Sequence, residues 1–142
     1  MSPDIPIWFL DIDGVLNTLP PIFQDKPHEF STVIFEDLRI SWRPKVIDFV
    51  NRVHREKLSE IHWLTMWGET AQTEFAPLVG LDHFNYAYDP LGDFGTPEYW
   101  WKISAIKQVT NGGRRKFIFT DDDLRDGLAW RLGNLATSAR CP

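Results

Sequence analysis

The chain has 142 residues, 43% hydrophobic and 25% charged, with a formal net charge of -5. That length and balance suit one soluble domain with a single core and argue against a disordered chain. Apart from Arg114-Arg115-Lys116 no basic block occurs, so extensive binding of duplex nucleic acid is not expected.

The one cysteine, Cys141, excludes an internal disulfide and a Cys-based zinc site. His28, His54, His62 and His83 are scattered and make no HExxH-type pair. The start, MSPDIPIWFL, carries Asp4 and no basic stretch, which makes it a poor signal peptide. No run of about 18 apolar residues is present, so no membrane span is expected and the cytoplasm is the expected location.

Ile5 to Ile12 is an apolar run ending in Asp-Gly, and it reads as a buried strand. On a strand continuing through this pair, Asp11 and Asp13 would lean to the same side. Like charges that close repel and raise one another's pKa. Residues 17 to 43 begin Pro-rich and then alternate as STVIFEDLRISW like an edge strand or a hairpin, which predicts a flap or hairpin inserted after the first strand. Pro44 opens a helix at its first position, with Val46, Phe49, Val50 and Val53 on one stripe.

Ile61 to Thr65 is a second predicted strand, followed by a helix from Thr70 to Val79 disturbed by Pro77. Phe84 to Tyr88 is a third strand. Thr96-Pro97-Glu98 has the cap, the first-turn proline and the acid of a helix start, and that helix stops at Asn-Gly-Gly after Thr110. Lys116 to Thr120 is a fourth strand and Leu124 to Leu132 a last helix. The alternation predicts an α/β fold on a central parallel sheet, as one domain over residues 1–142 with only a minimal flap at 17–43.

Ligands of such sheets bind outside the carboxyl ends of the strands. The predicted strands end there in Asp11-x-Asp13-Gly14, in Thr65, and in Asp121-Asp122-Asp123, with Asp126 a turn later. As neighbours they would form a carboxylate cluster that repels itself without a cation. Oxygen ligands with no His or Cys suit Mg²⁺, and one aspartate would remain free as a nucleophile. Lys102 falls within the apolar stripe of Tyr99, Ile103, Ile106 and Val109, where a lysine needs a partner. The acidic cluster and a bound phosphate would supply one; Lys107, on the flank of that face, is the weaker rival.

These motifs together resemble the four-motif signature of the haloacid dehalogenase superfamily of phosphohydrolases. Asp11, Asp13 and Gly14 match its apolar strand running into DxDG, and Thr65 its strand ending in Thr or Ser. Lys102 matches its basic residue, and Asp121-Asp122 with Asp126 its last acidic motif. WLTMWGE and DIDGVLN are also similar to a small capless branch that includes domains fused to RNA-repair proteins. That branch usually continues through another strand and helix, so the resemblance implies a trimmed or naturally short version here.

The resemblance implies a Rossmann-like, three-layer α/β/α fold and a Mg²⁺-dependent phosphatase. Asp11 would attack phosphorus and also ligate the metal, and Asp13 would protonate the leaving oxygen, then deprotonate water, its backbone carbonyl also ligating the metal. Thr65 and the backbone beside it would hold a phosphoryl oxygen, with Gly14 lining the same site. Lys102 would neutralise Asp11 and the transferring group. Asp122 is the first choice of metal ligand and Asp121 the second; Asp126 would orient, and Asp123 would cap the last helix or face solvent.

Trp8, Trp63 and Trp130 read as core. Trp67 and the pair Trp100-Trp101 are packing residues by the simplest reading, with Trp67 the best candidate to stack on a substrate base. The implied substrate is a phosphorylated nucleic-acid end, nucleotide or phosphoprotein. A non-catalytic binder of a phosphorylated ligand or protein, or a phosphotransferase, are the alternatives.

Overall fold

The computed structural model describes residues 4–18, 26–87 and 98–122. The apolar run Ile7–Leu10 forms strand β1, shorter than the expected 5–12 because the chain turns after Asp11. Ser31–Phe35 (β2) and Leu38–Trp42 (β3) pair antiparallel, with Phe35 opposite Leu38. Glu36 and Asp37 both take positive φ in the turn between them, as a two-residue hairpin loop requires. The alternation in this segment therefore resolves as a hairpin rather than a single edge strand.

Helix α1 spans Pro44–Arg55 and opens on its proline as expected. Its buried face is Ile47, Val50, Asn51 and Val53, whereas Phe49 is 48% exposed, so the predicted stripe is corrected by one residue. The cause is Asn51, a polar residue at the centre of the stripe. Its amide donates to the Gly80 carbonyl (2.8 Å) and accepts from the Asp82 N–H (2.9 Å), which satisfies it in the interior.

Glu60–Trp63 is β4. Beyond it a π turn, Ala71–Phe75, runs into a short helix α2, Ala76–Val79. Pro77 lacks the N–H that an α-helix directs at residue 73, and the expected helix is irregular there. Asn85–Tyr86 is a two-residue β5, Glu98–Val109 is α3, and Phe117–Thr120 is β6. The expected helix from Leu124 to Leu132, with Asp123, Asp126 and Trp130, lies outside the described residues.

β1, β4, β5 and β6 form one sheet in the order β5-β4-β1-β6, and every pairing is parallel. Helices lie against both faces. Leu10, Ile61 and Trp63 pack with Ile47, Val50 and Val53 of α1 and with Phe75 and Val79. Ile7, Phe9 and Leu64 pack with Ala105 and Ile106 of α3. Since both sides are covered, β1 reads as an unbroken apolar run. The fold is thus a mixed α/β arrangement on a four-stranded parallel sheet. Among the described residues no helix is long and apolar enough to cross a membrane.

Candidate active site

Sheet register assembles the site. Leu10 pairs with Trp63 on one side and Thr120 on the other, so Asp11 and Asp121 leave neighbouring strand ends together. Leu64 donates its N–H to the Leu10 carbonyl (2.9 Å), which brings Thr65 to the same edge. From β1 the chain moves to β4 and β5 on one side and then crosses to β6 on the other. That change of direction at β1 is where open α/β sheets leave a crevice.

Asp11 follows Ile7 and Phe9 at the two-residue spacing of the face that α3 covers. It meets Lys102 there: Lys102 Nζ donates to Asp11 Oδ2 at 3.1 Å and also contacts Asp121 Oδ2. Lys102 is 6% exposed and Asp11 7%. Burial pushes the Asp11 carboxyl up to about 6, against the pull of the Lys102 ammonium and of the Ile12 N–H, which donates to Asp11 Oδ1 (2.8 Å). Burial also opposes the charge on Lys102, but Asp11 and Asp121 outweigh it and hold the ammonium above the ordinary lysine range. Lys107, the rival, is exposed.

Asp122 joins from the residue after Asp121. Asp11, Asp121 and Asp122 each offer a carboxylate oxygen within 4.8 Å of the others. Both members of the Asp121-Asp122 pair therefore belong to the cluster. Gly14 is what lets Asp122 approach: its φ is +76, and an added Cβ would come within 2.6 Å of Asp122 Cβ and Cγ. Three hard carboxylates without His or Cys fit a hard divalent cation such as Mg²⁺.

Asp13 is separate from this trio. β1 has already ended and the chain has turned, with the Ile12 carbonyl accepting from the N–H groups of Val15, Leu16 and Asn17 (2.8–3.1 Å). The expectation that a continuing strand leans Asp11 and Asp13 to one side is thereby corrected. Asp13 Oδ1 accepts from Asn17 Nδ2 (3.0 Å) and Oδ2 from Trp67 Nε1 (3.1 Å).

Thr65 is 5% exposed, and its hydroxyl accepts the Trp67 N–H at 3.3 Å. The Trp67 ring packs against Phe75, with centroids 5.5 Å apart. Trp63 is core at 1% exposure, Trp8 is half-buried and donates to the Thr120 hydroxyl (2.8 Å), and Trp101 packs beside Ile106. The side chains of Tyr99 and Trp100 lie outside the described residues.

Asn17 was not singled out by sequence reasoning. Its signal was its place as the polar residue closing DIDGVLN, near Asp13 in sequence, whereas its other partner, Ser41, lies on the distant hairpin.

Comparison with family models, with curated proteins and with solved structures finds no significant match to this chain.

Proposed function

We propose that the protein is a Mg²⁺-dependent phosphomonoesterase of the haloacid dehalogenase type, with a Rossmann-like core and no large cap. The observation that carries the reading is one cluster at the switch of the sheet: Asp11 against Lys102, with Asp121 and Asp122 beside it.

Asp11 Oδ attacks phosphorus, the bond from phosphorus to the leaving oxygen breaks, and the proton of Asp13 passes to that oxygen to give the free alcohol. Water then attacks phosphorus of the acyl phosphate while Asp13 takes its proton. The bond from phosphorus to Asp11 breaks and the carboxylate is restored, so the net change is ester plus water to alcohol plus phosphate. Lys102 balances negative charge on Asp11 and on the phosphoryl oxygens, and Thr65 donates its hydroxyl to one of them. Asp11, Asp121 and Asp122 would hold Mg²⁺, which when bound supplies further neutralisation of phosphoryl charge.

The substrate class is a phosphorylated nucleic-acid end, nucleotide or phosphoprotein, since a fold without a large cap would leave room for a bulky substrate. The test is release of phosphate from an aryl phosphate. Activity should require Mg²⁺ and fall at least about 10³-fold in Asp11→Asn, in line with losses on removing a nucleophile. Robust turnover in excess chelator or in that variant would overturn the mechanism. Tight binding of phosphorylated ligands without turnover would favour a binding module instead.

A further inference from the structure

We propose that Asn17 and Trp67 are positioning residues that lock the Asp13 carboxylate for proton transfer, an assignment that rests on the phosphatase reading. An aspartate in an exposed turn ordinarily rotates about its last bond, whose torsional preference is broad. Here each oxygen takes its own donor, Asn17 Nδ2 at 3.0 Å and Trp67 Nε1 at 3.1 Å. Two donors on different oxygens oppose that rotation, and each oxygen keeps a further lone pair for the travelling proton.

Neither donor is loosely held. Asn17 is 2% exposed, its Oδ1 accepts the Ser41 N–H at 3.0 Å, and its backbone bonds to Ile12 and Gly14. The Ser41 N–H can only donate, so it fixes which end of the amide is oxygen and leaves the nitrogen for Asp13. Ser41 belongs to β3, and its hydroxyl bonds to that of Thr32 on β2 (2.8 Å). The hairpin thus anchors one arm. The other arm is keyed to Thr65, because Trp67 packs on Phe75 and donates its backbone N–H to the Thr65 hydroxyl. Proton transfer and phosphoryl binding then share one framework.

The clamp matters most where the leaving oxygen needs its proton. An alkyl phosphate needs one because the alkoxide is a poor leaving group, whereas an aryl phosphate departs readily as the phenolate. Trp67→Phe removes the indole N–H and keeps an aromatic ring against Phe75. With Mg²⁺ present, its kcat/KM, which reports phosphoryl transfer to Asp11 and not the later attack of water, should fall about tenfold or more on an alkyl phosphate and by less than about threefold on an aryl phosphate. Asn17→Ala should show the same selectivity; should the exposed Ser41 N–H prevent its folding, Trp67→Phe decides alone. Equal losses of kcat/KM on both substrates, or none, in a protein whose wild type is active would overturn the clamp and leave the phosphatase reading standing. A wild type that releases phosphate from neither substrate would remove both.

Discussion

At the amino end of the sheet Arg115 meets Glu60 at 2.5 Å and donates to the Ile5 carbonyl at 3.1 and 3.3 Å. At the carboxyl end Lys102 faces Asp11 and Asp121, with Asp122 beside them. Both places bring a cation against carboxylates, and they differ in how many carboxylates gather. Glu60 is held below the usual carboxylate range: burial opposes its charge, and Arg115 outweighs that burial. Nearby His62 is pulled below its ordinary value by burial, against the opposing pull of Glu60 3.5 Å away, which keeps it neutral near pH 7. Among the described residues one guanidinium meets one carboxylate there, while at the other end Lys102 touches two carboxylates of a group of three. A partly exposed pair of this kind is explained by packing alone. Carboxylates gathered at a sheet switch repel one another, and a bound cation would offset that repulsion.

The comparison can be broken first at Lys102. Lys102→Met strands Asp11 in the interior and should lower unfolding free energy in denaturant by about 3–5 kcal/mol, as loss of one partner of a buried pair does. A loss below about 1 kcal/mol would mean that the carboxylates are not held by this ammonium.

The second test is added Mg²⁺. Asp11, raised from 3.8 to about 6, contributes stability that is fully present below 3.8 and lost as pH rises through about 6. A metal needs the ionised form, so its stabilising effect should grow as pH rises through about 6. It should reach about 2.7 kcal/mol at one hundred times Kd. Thermal melts at pH 5 and pH 7.5 check this, and an equal shift at both would detach Asp11 from the metal.

The smallest effect belongs to the amino end. Glu60→Gln should cost about 2 kcal/mol of stability, below the figure for a fully buried pair because about a fifth of each partner's side chain is exposed (21% and 24%). Phosphate release per folded molecule should be unchanged. A marked loss of turnover would show that the two ends are not independent.

The acidic strand ends were legible because strand parity and sheet register are local rules: an apolar run ending in DIDG and another ending in TDD can meet only at the carboxyl edge. Lys102 was legible because a charge inside an apolar helical stripe violates its period. Asn17 was not, since its meaning depends on Ser41 and Asp13, which only tertiary contacts unite. Phe49 misled for a related reason: Asn51, satisfied by the loop at residues 80–82, took the buried position that an apolar residue would normally mark.

The central claim is that Asp11 carries the phosphoryl group. Its most direct measurement is acid quenching of wild-type protein during turnover of a radiolabelled phosphate monoester with Mg²⁺, followed by peptide mapping. The account predicts an acid-stable, base-labile phosphoryl group on the peptide containing Asp11, lost on chasing with unlabelled substrate. Steady release of phosphate with no label at Asp11 would contradict it.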